Sequence, residues 1–535
     1  MKPLVLLAAL LTCVAGCARS SDRQASTGDF VIAQQREPMS LNPALENGTS
    51  STEWGMLLFQ YLVKWNDRGE LVGDAATAAP TQTNGGISKD GLTIVYHLRA
   101  GLRFADGTPV TARDCVWSIQ AVQNPANNVQ TRYGYDRVRS ATAPDDRTLV
   151  LHLREPFAPL PTLVLAPQGF PILPAHVLGK TNFNNGTFNS HPIGSGPYIV
   201  TNWIRNDRVE MRANPYYSGG EPQIKRMTIA FVSDPNTAIN LLKTREASGF
   251  FSDEDYGNYP ILQTVPGVRA RSDRVNGIGA IIFNTQDPLT NDPRVRHALA
   301  EAIDIRSLIA KTYRGAITGD RAGAGLFLWA YDPKAYPDVP YDPAHARALL
   351  DSAGWTMGAD GIRHKGGRAL DLLFAIQAQT PGDAIIGNVV TDAERQIGAR
   401  VTLKQFNETQ FVAPGNLGGP VYGGKFQMAL YPFVNGDDPD ATDQFACANV
   451  PPSGYNKSRF CDPRVDALLT AARRTYDATQ RKALYSRLQS LLYAQLPIAP
   501  LYQLREVNAF STALLGQSTS VSGAFWNVGA WHLNR

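Results

Sequence analysis

Four aspartates lie within VNGDDPDATDQF, residues 434–445: Asp437, Asp438, Asp440 and Asp443. The chain of 535 residues carries 51 Lys and Arg against 47 Asp and Glu, so overall composition does not explain this local concentration of carboxylates. Carboxylates at this spacing can bind a metal ion, pair with a cationic ligand, or remain hydrated in a turn.

A calcium loop of the EF-hand type fits the stretch poorly. Such a loop needs oxygen ligands at alternating positions, a glycine at the sixth and a glutamate at the twelfth. Counted from Asp438, the sixth residue is Asp443, and Pro439 intrudes early. We therefore expect no metal and no other cofactor. Two interpretations stay open: a hydrated turn, which Asp, Asn, Gly and Pro all favour, and a partly buried anionic edge that meets a ligand's ammonium group.

Motifs of the common enzyme classes are missing from the sequence. Walker A, GxGxxG after a strand, HExxH, CxxC and GxSxG do not occur. The eight histidines are scattered, without the spacing of metal ligands on a helix. The net charge is +4 with no Lys/Arg-rich run, which argues against nucleic acid as a partner. Enzyme activity is not indicated, although a catalytic triad assembled from distant residues remains an alternative.

The N-terminus has the pattern of a secretory signal. Lys2 precedes an apolar run, and Val14-Ala15-Gly16-Cys17 resembles a bacterial lipobox, so we expect a signal peptide at 1–17 with lipidation at Cys17. The polar residues 18–27 then form a flexible tether. No second run of about 20 apolar residues follows, so the protein is expected to be anchored to a membrane without spanning it. In that oxidising compartment, Cys447 and Cys461 are expected to form a disulfide.

Helices and short strands alternate along the chain. Asp is a good N-cap and Pro suits the first helical position, so Asp-Pro followed by apolar residues at helical spacing predicts a helix start; we predict such starts at Asp234, Asp292, Asp342 and Asp462. Thr111 with Asp114 predicts a capping box, and Cys115 in that helix is expected to be a buried free thiol. Strands rich in β-branched and aromatic residues are predicted at 92–99, 148–154, 226–232, 278–285, 369–377 and 400–406. This alternation predicts mixed α/β sheets.

Five motifs in chain order resemble one family, the extracellular solute-binding proteins of ABC importers of the oligopeptide and dipeptide class, family 5. They are LTIVYHLRAGLRFADGTPVTARDCVWSIQAV (92–122), IGSGPYIVTNW (193–203), FNTQDPLTNDPRVRHALAEAID (283–304), YDPAHARALLDSAGW (341–355) and RKALYSRLQSLLYAQLPIAPLY (481–502). The resemblance covers roughly residues 28–510. Gly194 and Gly196 in the second motif allow a tight chain crossing.

The resemblance implies an α/β, two-lobed periplasmic-binding-protein (Venus-flytrap) fold with an extra inserted domain in lobe I. The expected boundaries are 28–57, 190–275 and 500–535 for lobe I, 58–189 for the extra domain, and 276–499 for lobe II. The lobes close over the ligand about a hinge, and the transporter recognises the closed form. The binding protein itself catalyses no reaction.

The resemblance also places the acidic stretch at the ligand. In peptide-binding relatives an aspartate four residues before the proline holds the peptide's α-ammonium, but that position here is Asn435. Dipeptide-binding relatives hold the peptide carboxylate with an arginine on the strand that resembles 374–383, which here offers Gln377, Gln379 and Thr380. Both charged ends of a free dipeptide thus lack the partners that those relatives provide, unless Asp437 or Asp438 takes the place of the missing aspartate through a shifted loop. The predicted ligand-binding residues are Asn435, Asp437, Asp438, Asp440, Asn47, Gly48, Thr49, Gln377 and Gln379.

These observations predict the substrate-binding lipoprotein of an ABC importer, which captures oligopeptides and delivers them to the permease subunits. We expect it to be a monomer at the cell envelope, on the periplasmic or extracellular face. Within the same fold, the cargo could instead be an opine, an oligosaccharide or a metal chelate. A secreted hydrolase, and a sensor or chaperone-like lipoprotein without transport, are the alternatives from other classes.

Overall fold

The computed structural model describes residues 29–46, 48–252, 256–317, 319, 323–378, 380 and 382–534, excepting the side chains of residues 48–50. The predictions for the signal peptide, the tether, Cys17, Asn47 and Gln379 therefore lie outside the described residues. Within the described ranges, no helix is long and apolar enough to cross a membrane.

Strands and helices alternate through most of this length. Strands β1 to β20 are Phe30–Gln34, Val63–Trp65, Leu71–Gly73, Thr93–His97, Val138–Thr142, Thr148–Leu153, Tyr198–Ile204, Arg208–Ala213, Arg226–Phe231, Gly249–Ser252, Val268–Phe283, Thr356–Met357, Arg363–Lys365, Arg368–Ala369, Asp371–Gln377, Arg400–Phe406, Met428–Val434, Ile498–Ser511, Leu514–Leu515 and His532–Leu533. Helices α1 to α16 are Gly48–Leu58, Ala112–Gln123, Leu160–Leu163, Ala175–Leu178, Pro235–Thr244, Tyr259–Leu262, Pro293–Glu301, Ile305–Tyr313, Ala324–Phe327, Pro343–Ser352, Asp383–Gln396, Glu408–Phe411, Pro420–Gly423, Thr442–Phe445, Pro463–Arg474 and Ala478–Gln495.

The local predictions are confirmed. The four predicted Asp-Pro pairs start α5, α7, α10 and α15, and each aspartate accepts hydrogen bonds from N–H groups of the first helical turn, whereas the pairs at Asp287, Asp332 and Asp438 start no helix. Asp114 Oδ2 accepts the Thr111 N–H at 2.8 Å, as expected of the capping box that starts α2. Such caps each stabilise a helix by about 1 kcal/mol. Cys115 is a buried free thiol.

One sheet of ten strands forms the frame of the molecule, in the order β16-β15-β17-β11-β18-β10-β1-β9-β8-β7. β1 runs parallel to β9 and β10 at one end, and β15 runs parallel to β16 and β17 at the other. Between them, the 16-residue β11 and the 14-residue β18 pair antiparallel to each other. Two groups of parallel strands are therefore joined through two long central strands.

The buried apolar residues fall into three clusters. The first collects residues from Phe30–Phe251 and Phe510–Trp531, including those of a separate sheet formed by β4, β5 and β6. The second contains Ile281 and Phe283 of β11, and the third contains Ala280 and Ile282 of the same strand. Since successive strand residues point to opposite faces, the second and third clusters cover opposite faces of the sheet. The predicted lobe and domain boundaries stay a prediction.

The close crossing expected at Gly194 and Gly196 is confirmed. A Cβ atom at Gly194 would lie 1.8 Å from the Leu58 carbonyl oxygen, and one at Gly196 would lie 2.3 Å from the Phe59 nitrogen. Only glycine permits backbones to approach this closely.

Candidate functional site

The acidic stretch begins where β17 leaves the central part of the sheet. β17 pairs with β11 as far as Val434 opposite Gly277, and the next N–H, that of Asn435, donates to the Asn276 carbonyl at 2.7 Å. Helix α14, which contains Asp443, ends the stretch from Thr442. Asp437, Asp438 and Asp440 are thus held between a strand end and a helix start, against the strand that joins the two halves of the sheet.

The Asn435 side chain is buried and forms hydrogen bonds inside the protein. It is 8% exposed. Its Nδ2 donates to the Gly325 carbonyl at 2.8 Å, and its Oδ1 accepts from Gln444 Nε2 at 2.9 Å. Both ends of the amide are therefore occupied, and Asn435 holds the stretch to the segment that carries α9.

Asp437 is the most buried of the four aspartates, with 3% exposure. Its Oδ1 accepts from Asn276 Nδ2 at 2.8 Å and from Gln168 Nε2 at 3.3 Å. Its Oδ2 and the Trp65 indole N–H are both buried and form no hydrogen bond of normal geometry among the described residues, but the indole is close enough to act on Asp437 as a donor that lowers its pKa. Burial raises the pKa of Asp437 to about 7, against the opposing effect of its hydrogen-bond donors. The ionised form of the Asp437 carboxyl group is therefore disfavoured by its surroundings.

Asp438 forms a buried ion pair with Arg481. Arg481 Nη1 donates to Oδ2 at 2.6 Å and Nη2 donates to Oδ1 at 2.5 Å, with side-chain exposures of 6% and 9%. The guanidinium carbon lies 5.7 Å from the Trp329 ring centroid and 5.5 Å from that of Tyr485. Two charges buried this way neutralise each other, so Asp438 has little charge left for a ligand.

Asp440 connects the stretch to a distant part of the chain. The Tyr133 hydroxyl donates to its Oδ2 at 2.5 Å, while Thr442 Oγ1 donates to its Oδ1 at 2.5 Å. Burial, followed by the nearby Asp440 carboxylate, raises the pKa of Tyr133 well above its usual value. Asp443 accepts only a longer bond from Asn449 Nδ2 at 3.3 Å among the described residues.

We use the word seam for the contact between segments 65–168 and 437–476. Three neutral donors from the first segment, on Trp65, Tyr133 and Gln168, face the carboxylates of the second. Further along the seam, the Ala158 N–H donates to the Arg473 carbonyl at 2.6 Å and the Tyr476 hydroxyl to the Gly91 carbonyl at 3.1 Å. Glu155 pairs with Arg474 at 2.8 Å. The seam is thus closed by hydrogen bonds, and the interpretation as a hydrated turn is wrong because its central carboxylates are buried.

The other predicted ligand residues lie at element ends. Gln377 ends β15, is half-buried, and accepts from Thr380 Oγ1 at 2.8 Å. Gly48 and Thr49 begin α1. Within the described ranges, no group of three or more His, Cys, Asp or Glu residues is arranged to hold a metal ion.

The chain after the acidic stretch is fixed by a disulfide and a caged lysine. Cys447 and Cys461 are joined, with their Cα atoms 4.6 Å apart. Inside the loop so closed, the Lys457 ammonium lies 4.3–5.7 Å from four ring centroids, those of Tyr422, Tyr431, Phe433 and Tyr455. Burial lowers the pKa of Lys457 to about 8, with Asp443 opposing that shift. This cation is held mainly by aromatic faces.

Sequence reasoning missed the residues that meet the aspartates. Tyr133 and Gln168 lie 307 and 269 positions from their partners, and no local pattern marks them. Arg481 lies on the buried face of α16 together with Tyr485, Leu488 and Leu492, but the amphipathic pattern of this helix is too weak for the sequence to mark Arg481 as buried.

The sheet has two groups of parallel strands joined through two long central strands, and the seam lies beside it. This arrangement is typical of two-lobed binding proteins, a class that closes about a hinge. The profile of the family described as bacterial extracellular solute-binding proteins, family 5 Middle, matches residues 70–454. The chain belongs to this family, whose members bind solutes, and the expected fold class is confirmed.

Two relatives and one solved structure show how far the similarity extends. The chain is 29% identical over 477 residues to Protein XP55 of Streptomyces lividans, covering 87% of this chain and 81% of that protein. It is 28% identical over 443 residues to Di/tripeptide-binding protein 2 of Pseudomonas aeruginosa, covering 78% and 79%. Its fold matches the oligopeptide-binding protein AppA from Bacillus subtilis, solved with a nonapeptide, with a TM-score of 0.76, 21% identity and coverage of 95% and 99%.

Proposed function

We propose that this chain captures peptides for an ABC importer, by closing its two lobes over a peptide and presenting the closed form to the permease. The observation that carries the proposal is the seam, where carboxylates on one side meet neutral donors on the other beside the long central strands. Contacts of this kind break when the lobes separate, so the seam suits a protein that opens and closes. The peptide cargo is supported by the relative named for di- and tripeptides and by the neighbour that holds a nonapeptide.

Within the acidic stretch, we assign the ligand contact to Asp437. Its Oδ2 forms no hydrogen bond of normal geometry among the described residues and faces the Trp65 indole, whereas Asn435 and Asp438 use their polar atoms inside the protein. Asn435, Asp438 and Asp440 then hold the stretch in place. Other proposed contacts remain those expected from the sequence: Asn47, Gly48, Thr49, Gln377 and Gln379.

The proposed cargo is an extended peptide held mainly through its backbone. The position expected to hold an α-ammonium is the uncharged Asn435, whose amide is bonded to Gly325 and Gln444. Without a charge there, a free dipeptide loses the charge-assisted hydrogen bond that would fix its amino end. Backbone hydrogen bonds in the manner of an added strand do not need that charge.

A thermal-shift screen tests this proposal. Short peptides that bind the native state should raise the melting temperature, by an amount that grows with the ligand concentration relative to Kd. Opines, oligosaccharides and metal chelates serve as the competing panel. Stabilisation by members of that panel, with no response to any peptide, would overturn the peptide cargo. Native mass spectrometry of the purified protein then identifies any ligand that remains in the closed form.

We also propose that the mature chain is tethered to the outer face of a bacterial membrane through a lipid on Cys17. The lipobox-like residues before it support this assignment. Replacement of Cys17 with Ala should release the protein into the soluble envelope fraction. Retention of Cys17→Ala in the membrane fraction would count against the anchor.

A further inference from the structure

Asparagine is a thermolabile residue, and it is most reactive where glycine follows it. Glycine has no Cβ atom, so its backbone nitrogen can approach the side-chain carbonyl carbon of the preceding asparagine. The reaction also needs an asparagine side chain that can turn towards that nitrogen. The sequence contains five such pairs: Asn47-Gly48, Asn84-Gly85, Asn185-Gly186, Asn276-Gly277 and Asn435-Gly436. Tertiary structure decides which of them can react.

The Asn185-Gly186 pair meets both conditions. It lies in the turn at residues 182–186, directly before the single helical turn Thr187–Asn189. Asn185 is exposed, and its only hydrogen bond among the described residues is made by its backbone N–H, which donates to Asn182 Oδ1 at 3.1 Å. The Gly186 N–H donates to no described residue. Both reacting groups are therefore free to meet.

Two of the other pairs are buried in the acidic stretch and its neighbour. Asn276 and Asn435 are 9% and 8% exposed. Asn276 Nδ2 donates to Asp437 Oδ1 at 2.8 Å, and Asn435 Nδ2 donates to the Gly325 carbonyl at the same distance. Either side chain could turn towards its glycine only after such a buried hydrogen bond is broken, and this is costly.

Asn84 is the informative comparison, because it is exposed like Asn185. Its Nδ2 donates to the Ala79 carbonyl at 2.9 Å, and its Oδ1 accepts from two backbone N–H groups at 2.9 and 3.0 Å. The Gly85 N–H donates to the Gln82 carbonyl at 3.4 Å. Exposure is therefore shared by the two sites, whereas a side chain held by hydrogen bonds is found at Asn84 alone of the two.

We propose that Asn185 is a site of spontaneous deamidation in the folded protein, and that folding protects Asn84, Asn276 and Asn435. The Gly186 nitrogen forms a bond to Asn185 Cγ, and the bond between Cγ and Nδ2 breaks. Ammonia leaves with the proton that the Gly186 nitrogen loses, and a cyclic imide remains. Water then opens the ring: cleavage at Cγ gives aspartate, and cleavage at the main-chain carbonyl carbon gives isoaspartate.

The reaction changes a turn that anchors another part of the chain. Asn189 Nδ2 donates to the Asn184 carbonyl at 2.9 Å. Asn189 in turn accepts the Leu41 N–H on its carbonyl at 2.8 Å and Asn42 Nδ2 on its Oδ1 at 3.0 Å. Both products add a negative charge, and isoaspartate also lengthens the main chain by one atom directly after Asn184. Deamidation should therefore loosen the attachment of residues 41 and 42.

Ageing of the purified full chain at mildly alkaline pH, followed by peptide mapping with mass spectrometry, tests the proposal. Each site is compared in the native protein and in concentrated guanidinium chloride, where local sequence alone decides the rate. Asn185 should react at similar rates in both. The other three sites should react at least about tenfold more slowly in the native protein, because a hydrogen bond must break first. Asn47 lies outside the described residues and does not enter the comparison.

Two further measurements make the test specific. In water enriched in heavy oxygen, the new carboxylate at residue 185 should carry the label, since hydrolysis of the imide inserts one water oxygen. Hydrogen exchange at the Leu41 N–H, a fully buried position, should be faster in the deamidated wild type, separated by anion exchange, than before ageing. Asn185→Ala, aged in parallel, should keep the slow exchange of the fresh protein.

Three results would count against the proposal. Protection of native Asn185 as strong as that of Asn276 overturns it, because the turn would then prevent the reaction. A native Asn84 that reacts as fast as Asn185 overturns it as well, since hydrogen bonds to the side chain would not decide the site. Unchanged exchange at Leu41 in the deamidated wild type overturns the effect on residues 41 and 42.

Discussion

The burial of Asp437 predicts that the stability of the closed seam depends on pH. Its carboxyl group lies between Asn276 and Gln168, beside Trp65, and burial raises its pKa from 3.8 to about 7. Opening or unfolding returns the group to water and to its ordinary pKa. A rise of this size corresponds to about 4 kcal/mol of preference for the protonated form.

The direction of the pH effect follows from proton binding. Below pH 3.8, Asp437 is protonated whether the seam is open or closed. Between that pH and about 7, the closed form holds a proton that the open form has lost, so stability falls as pH rises, by about 1.4 kcal/mol per pH unit. Above about pH 7 both forms are ionised and the loss is complete. The negative charge of Asp438 contributes to the raised pKa of Asp437.

Urea denaturation of the wild type and of Asp437→Asn, followed by tryptophan fluorescence between about pH 4 and pH 8, measures this contribution. Asparagine keeps an oxygen for Asn276 and Gln168 but has no proton to lose. The stability difference between the two proteins should favour the variant increasingly up to pH 7 and then stay constant. Asp392→Asn, at an exposed ion pair, should follow the wild type. Parallel pH profiles for wild type and Asp437→Asn would refute the reasoning.

Three further predictions concern single contacts. Tyr133→Phe should weaken ligand affinity by the equivalent of about 1–3 kcal/mol, because it removes the hydroxyl that donates to Asp440. A double-mutant cycle with Asp440→Asn should show that the two substitutions are coupled. Additive effects on affinity would contradict the contact. Glu394→Met should raise the urea midpoint more at pH 7 than at pH 4, because burial raises the pKa of Glu394 well above 4.5 and the cost of protonating it in the folded state is added at pH 7. Neither oxygen has a donor among the described residues, so part of the gain should persist at pH 4. An equal midpoint shift at the two pH values would argue against the raised pKa. Serine at both Cys447 and Cys461 should lower the free energy of unfolding by about 3 kcal/mol under non-reducing conditions, as expected for a loop of this length. A wild-type protein whose free energy of unfolding does not change on addition of reductant would contradict this contribution of the disulfide.

Features that depend on neighbouring residues could be predicted from the sequence. The Asp-Pro helix starts and the capping box at Thr111 follow from contacts within one turn, and the structure has them all. Strand positions were also predictable, although the strand expected at 278–285 proved to be the C-terminal half of the longer β11. The N-terminal part of β11 is polar, so its sequence does not predict a strand. It forms a strand because it pairs with β18, which lies far along the chain.

The seam could not be predicted in the same way. The family resemblance located the acidic stretch, but the partners of Asp437 and the Tyr133 partner of Asp440 lie more than 150 positions away, and the arginine that pairs with Asp438 lies 43 positions away. Whether a carboxylate is hydrated, paired or buried depends on those partners and on the dielectric around it. For this reason Asp437 and Asp438, adjacent in sequence, have different environments: one carboxyl group has an unpartnered oxygen within the described residues, and the other has an arginine.

The sequence by itself determined the starts of five helices, six of the strands, the close crossing at Gly194 and the family, because each rests on local conformational preferences or on residue order. Tertiary structure alone decided what the four aspartates do. It places Asn435 inside the protein, pairs Asp438 with Arg481, and brings Tyr133 to Asp440. The physical reason is that a carboxylate's charge and hydrogen bonds depend on what is packed against it, and for these residues that is chain distant in sequence.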